Sequence, residues 1–178
     1  MAEALEPALP GWLDDLTNRI LEEACRRELK LATAESCTGG LLASLLTDVP
    51  GCSHAFERGF VTYTEEAKRE MLAVPADVLE TDGAVSERCA RAMAEGALAN
   101  SKADIAIAVT GFADDSTEPD KPGGLVHFAA ARRGGPTLHR KEEFGPLGRA
   151  EVRLQCLRVS LEMAGQQMAA DAEPQGSR

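Results

Sequence analysis

The stretch Glu35-Ser36-Cys37-Thr38-Gly39-Gly40 sets a hydroxyl beside a thiol in a short polar turn, after a strand-like segment and before a helix-like one. Free backbone N–H groups and the positive end of a helix dipole converge at such a turn. Its glycines let another molecule approach the backbone closely. That setting suits a nucleophile whose attack creates an oxyanion. It equally suits a helix cap, with Ser36 or Thr38 bonding an N–H, and local sequence leaves both readings open. Cys37 is the rival nucleophile, because a thiolate at a helix N-terminus is reactive. Neighbours in a turn point different ways, so the expectation is Ser36 toward a cleft and Cys37 toward the core.

A second cluster is Tyr63-Thr64-Glu65-Glu66-Ala67-Lys68, with Tyr63 at a strand end and Lys68 early in the next helix. A cation near a helix N-terminus is disfavoured by the dipole, which lowers its pKa in the direction a lysine base needs. The alternative is a surface lysine paired with Glu65 or Glu66. Thr110 and Gly111 end an apolar strand and line the same sheet edge. Arg149 begins the longest helix, where a guanidinium and backbone N–H groups can share an anion or Arg149 can simply bond Glu151. The histidines His54, His127 and His139 sit on separate elements, none facing Ser36, and read as structural.

These groups need elements to hold them. Helical spacing of Trp12, Leu13, Leu16 and Ile20 predicts a helix over 12–28, followed by a strand over 29–35 and a helix over 41–47. Gly59–Thr64 reads as a strand and Glu65–Leu72 as a helix ended by Val74-Pro75. Ser86 is a good cap for a helix over 87–100. Asp104–Thr110 reads as a buried strand, Gly123–Arg132 and Thr137–Phe144 as a hairpin, and Leu147–Met168 as the longest helix. The order implies an α/β fold: a single-domain layered sandwich with a mixed sheet flanked by helices. Its boundaries are a lead-in over 1–11, the domain over 12–168 and a polar tail over 169–178.

A chain of 178 residues, 44% hydrophobic and 27% charged, is globular in composition and long enough to bury a core. Its net charge of −10 repels a phosphate backbone, so nucleic acid is not expected as a partner. Only five of the 19 cations are lysines, which leaves few candidates for a lysine base. The five cysteines show no Cys-x-x-Cys spacing and no histidine at ligand spacing, which argues against a disulfide framework or a structural metal. A reducing cytoplasm is the expected setting, and no signal peptide or membrane span is evident.

Taken together, Ala34-Glu35-Ser36-Cys37-Thr38-Gly39-Gly40, Pro50-Gly51-Cys52-Ser53, Phe56–Tyr63 leading to Lys68, Gly83-Ala84-Val85-Ser86 and Val109-Thr110-Gly111 resemble the CinA C-terminal domain family, in the same order. Its characterised enzymes are nicotinamide-nucleotide amidases. The resemblance implies hydrolysis of the carboxamide of nicotinamide mononucleotide to nicotinate mononucleotide and ammonia, without metal or cofactor. It implies Ser36 as nucleophile, Lys68 as base and Tyr63 as the positioning group beside it. Ser53, Thr110 and Arg149 fall at substrate-contacting or site-organising positions, and N–H groups over Thr38, Gly39 and Gly40 are the expected oxyanion donors. The family also implies a homo-oligomer, most simply a dimer. Two features depart from its pattern. Thr64-Glu65 replaces a Ser-Asn pair, and Phe112–Pro119 replaces a glycine-rich loop, with Asp114 and Asp115 where carboxylates would repel a phosphate. Alternatives are an amidase of the same fold on another amide, or a non-catalytic homologue serving as a binding or regulatory module.

Overall fold

A computed structural model describes residues 10–170. Its elements are α1 (Gly11–Arg26), β1 (Leu31–Glu35), α2 (Leu41–Leu45), β2 (Phe56–Val61), α3 (Glu65–Leu72), α4 (Ala76–Thr81), α5 (Glu87–Ala99), β3 (Ile105–Gly111), β4 (Leu125–Arg132), β5 (Leu138–Glu143) and α6 (Arg149–Ala169). The expected lead-in and tail fall mostly on residues 1–9 and 171–178, outside the described residues.

The five strands form one mixed sheet in the order β2-β1-β3-β4-β5. β1 pairs in parallel with both β2 and β3, and β4 runs antiparallel to β3 and to β5. β1 therefore sends the chain out through α2 to β2 on one side, and the chain returns through three helices to β3 on the other. The carboxyl ends of β1 and β3 lie at this reversal, the place where open α/β sheets form a crevice.

Alternation along the strands sorts side chains between two helix layers. Leu31 and Ile105, Ile107 and Val109 face α1, α2 and α6, while Ala32, Ala34, Ala106 and Ala108 face α3, α4 and α5. The alanine face meets Ala90, Met93, Ala94 and Ala97 of α5, so that helix lies close to the sheet. All five residues of β1 are buried.

The helix cap expected at Ser86 is made, its hydroxyl accepting the N–H of Cys89 at 3.1 Å, and Thr64, which the sequence reading did not single out as a cap, accepts that of Ala67 at 3.1 Å. Two elements differ from expectation. β2 lies three residues earlier than the β-branched run suggested, because its extent follows its pairing with β1, Leu31 opposite Phe56 through Glu35 opposite Val61. α4 has only six residues and no side-chain cap, so little marked it beyond Pro75 at its start.

Gly96 on α5 touches α3, and a Cβ there would overlap the Leu72 carbonyl. Gly96→Ala gains about 1 kcal/mol of helix propensity but forces two helices apart, which costs about 1–3 kcal/mol. Thermal unfolding should show the variant melting several degrees below the wild type. A melting point equal to or above wild type would mean that this contact does not set the spacing of α3 and α5.

Candidate active site

Alternation in β1 continues into the turn. Residues 32 and 34 face the α3–α5 layer and Ser36 follows them, whereas 31, 33 and 35 face the other layer and Cys37 follows those. Ser36 therefore meets α3, and Cys37 packs with Val109, Phe128 and Cys156 in the core beneath α6. This is the expected division between hydroxyl and thiol, although Cys37 also forms part of the cleft floor.

Lys68 and Leu72 are the buried residues of α3, one turn apart, so Lys68 occupies a core-facing position. Only 1% of it is exposed. Its Nζ donates to Ser36 Oγ at 3.1 Å and to the Thr62 carbonyl at 2.8 Å. The Thr62 carbonyl is available because β2 has ended, the Thr62 N–H making a last 2.8 Å bond to Glu35 O. Lys68 forms no ion pair with Glu65 or Glu66, so the surface-pair reading does not hold. Burial holds the Lys68 amine below the usual lysine range. The main cause is desolvation rather than the helix dipole.

Ser36 and Lys68 lie at the bottom of a cleft of about 210 Å³ with Thr110, Gly111 and Asp114 on one wall, Ala84 and Val85 on another, and Tyr63 and Arg149 also lining it. Tyr63 is 64% exposed, at the rim. Thr110 Oγ1 donates to the Ala84 carbonyl at 2.7 Å and so ties β3 to the segment that leads into α5. Ser53 is exposed in the turn before β2, outside the cleft. Thr38, Gly39 and Gly40 do not line it either.

The reason for the last observation is Glu35, a residue that sequence reasoning did not single out. Its fully buried carboxylate accepts the N–H groups of Gly40 at 3.0 Å, Leu42 at 3.0 Å and Ala43 at 2.8 Å, and the Thr33 hydroxyl at 3.2 Å. The Gly39 N–H bonds Ser36 O, and the Leu41 N–H bonds Thr38 O. The start of α2 is thus filled by the protein's own acceptors, and Gly39 and Gly40 are not oxyanion donors here. Both glycines have positive φ, +60° and +98°, which shapes the turn. Arg153, one turn after Arg149 on α6, donates from Nη2 to Thr38 O at 2.8 Å and steadies the same turn. The available signals were an acid at the end of a buried strand and a second arginine four residues along a helix.

The histidines stay apart from Ser36. His127 Nδ1 and His139 Nε2 lie 3.0 Å from each other, and His54 is exposed. Among the described residues, no three His, Cys, Asp or Glu side chains gather as a metal would require, and no helix is long and apolar enough to cross a membrane.

Residues 13–168 match the model of the CinA C-terminal domain. The chain belongs to the CinA C-terminal domain family. A relative from Enterobacter agglomerans, named nicotinamide-nucleotide amidohydrolase PncC, is 46% identical over 132 residues, covering 74% of this chain and 80% of that protein. A CinA-like protein of Akkermansia muciniphila is 54% identical over 123 residues, 68% of this chain but only 30% of the relative's length. This chain thus spans about a third or less of several such longer family members. The crystal structure of the competence/damage inducible protein CihA from Agrobacterium tumefaciens superposes with a TM-score of 0.86 at 46% identity, covering 89% of this chain and 96% of that one.

The lowered Lys68 pKa links stability to pH. Below the folded-state value both folded and unfolded chains hold the proton. Between it and the usual lysine range only the unfolded chain does, so stability rises with pH through that window. Urea unfolding of wild type and Lys68→Met between neutral pH and about pH 10 should show the wild type gaining on the variant as pH rises. A difference that stays constant over that range would mean that Lys68 keeps its proton in the folded chain.

Proposed function

We propose that this domain is an amidohydrolase that hydrolyses the carboxamide of nicotinamide mononucleotide, giving nicotinate mononucleotide and ammonia, with Ser36 as nucleophile and Lys68 as base. The observation that carries this reading is the 3.1 Å contact between Lys68 Nζ and Ser36 Oγ at the bottom of the cleft, on an amine whose charged form burial disfavours. The name of the Enterobacter agglomerans relative supports the substrate class.

A serine hydroxyl attacks an amide only when a base takes its proton. Neutral Lys68 accepts the Oγ proton as Oγ bonds to the carboxamide carbon, and the carbonyl oxygen becomes an oxyanion. In the turn, the N–H groups of Gly39, Gly40 and Leu41 are already taken up, which leaves that of Cys37, a residue lining the cleft, as the donor this turn offers. The carbon–nitrogen bond then breaks, and the Lys68 ammonium returns its proton to the departing nitrogen, releasing ammonia. Water completes the cycle: Lys68 takes a proton from it, the hydroxide bonds to the ester carbon, the carbon–Oγ bond breaks to release the carboxylic acid product, and the Lys68 ammonium returns its proton to Oγ, which restores Ser36 and the neutral amine. Tyr63 at the rim and Thr110 on the wall hold the ring and its surroundings in place, and Arg149 offers a cation to the phosphate end.

Ammonia release from nicotinamide mononucleotide tests the assignment. Ser36→Ala should lose several orders of magnitude in kcat while remaining folded. Lys68→Arg should be as damaging as Lys68→Ala, since a guanidinium stays protonated near neutral pH. The wild-type rate should climb with pH as Lys68 loses its proton. An active Lys68→Arg enzyme would reduce Lys68 to an electrostatic anchor. Cys37→Ala should keep its activity with a modest loss of stability, because its thiol packs in the core. Inactivity of that variant beside an active Ser36→Ala would reverse the two roles.

A further inference from the structure

The core beneath Ser36 holds a reactive pair that the amidase reading does not use. Cys37 faces away from Lys68, toward α6, and packs there with Cys156, Val109 and Phe128. The turn and the helix are tied at this point: Arg153, three residues before Cys156, donates to the carbonyl of Thr38, the residue after Cys37, at 2.8 Å. The two thiols themselves meet, Cys156 hydrogen-bonding to the Cys37 sulfur. Both are free cysteines.

The pair is asymmetric. Cys37 keeps 6% of its surface exposed and forms part of the cleft floor, whereas Cys156 has no exposed surface. A small oxidant entering the cleft meets Cys37 first and reaches Cys156 only through it. The hydrogen bond from Cys156 also holds the Cys37 thiol below its usual range, against the opposing effect of burial. An accessible sulfur of this kind with a second thiol behind it is the arrangement in which an oxidised cysteine is resolved by its neighbour. The other cysteines lack one part of it. Cys89 is fully buried, and burial pushes its thiol up to about 11. Cys25 and Cys52 also meet, but they are half-buried outside the cleft, and burial pushes Cys25 up to about 11.

We infer that Cys37 and Cys156 form a reversible oxidation site beneath Ser36, at which peroxide closes a disulfide that disarms the serine. The Cys37 sulfur bonds to one oxygen of hydrogen peroxide, the O–O bond breaks, and the second oxygen leaves as water with the thiol proton. Cys37 is oxidised to the sulfenic acid and the peroxide is reduced. The Cys156 sulfur then bonds to the Cys37 sulfur, the S–OH bond breaks, and the hydroxyl leaves as water with the Cys156 proton. A dithiol reductant reverses the step by exchange. Bonded sulfurs lie closer than thiols in contact, so the bond draws Cys37 toward α6. Ser36 is the preceding residue and meets Lys68 on the opposite side, so the hydroxyl and the amine are drawn apart. The oxidation rests on the thiols alone, and its effect on turnover rests on the amidase reading.

The test treats the reduced protein with hydrogen peroxide, digests it without reductant and maps its peptides by mass spectrometry, while ammonia release from nicotinamide mononucleotide is followed. The peptides holding Cys37 and Cys156 should be joined, with the loss of two hydrogens, and the rate should fall about tenfold or more. Dithiothreitol should reverse both changes. Cys156→Ala should release ammonia before treatment, and dimedone should then trap the sulfenic acid at Cys37. The wild-type peptide map decides the site even if that variant fails to fold. Cys37 left as a thiol, Cys37 carried on to the sulfinic acid without joining Cys156, or Cys25 joined to Cys52 as the sole bond would overturn the proposal. A Cys37–Cys156 bond with an unchanged rate would overturn the disarming of Ser36. A protein that joins the two cysteines but releases no ammonia even when reduced would retain the oxidation site and remove the amidase reading.

Discussion

The carboxylate of Glu35 has no exposed surface and no cationic partner among the described residues; three backbone N–H groups and a hydroxyl surround it instead. A carboxyl group buried in this way is tolerated only when its oxygens are well satisfied. The first turn of α2 is consequently fixed relative to β1, and with it the backbone from Ser36 to Gly40. Arg153 holds the same turn from α6 through Thr38 O. A serine held between two such anchors keeps its direction without any contact from a ligand.

The opposite side of Ser36 depends on small residues. Alanines on the α5-facing surface of the sheet, and alanines on α5 itself, allow that layer to sit close. α3 rides on the same layer, and one lysine reaches from its buried face to the serine hydroxyl and the Thr62 carbonyl. The amine is thereby desolvated and still hydrogen-bonded. Desolvation favours its neutral form, while the 2.8 Å bond to a carbonyl keeps its lone-pair direction and its protons ordered.

Much of this architecture could be read from residue types. Ser86 announced its helix, the Arg133-Gly134-Gly135-Pro136 turn marked the hairpin, and periodicity gave α1, α5 and α6 to within a few residues. The family motifs drew attention to Ser36, Lys68, Thr110 and Arg149, which the fold gathers in one cleft. What escaped were properties that exist only between elements. The ends of β2 follow β1, its partner, rather than its own β-branched residues. The burial of Lys68 follows the contact of α3 with the rest of its layer, and in an isolated segment rich in glutamate it looks like a surface charge. Glu35 looked like part of a polar turn because its acceptors' partners lie up to eight residues away along a helix. Ser53, conversely, shares a motif with the site residues but not their location.

The division between Ser36 and Cys37 is a matter of counting along β1. Every residue from Leu31 to Glu35 is buried on one side or the other, and substitutions there alter packing while leaving the count intact. A single inserted or deleted residue would do something else: it would exchange the two faces, turning the thiol toward Lys68 and the hydroxyl toward Cys156. Which of the two side chains meets Lys68 in this chain is therefore set by strand length as much as by residue identity.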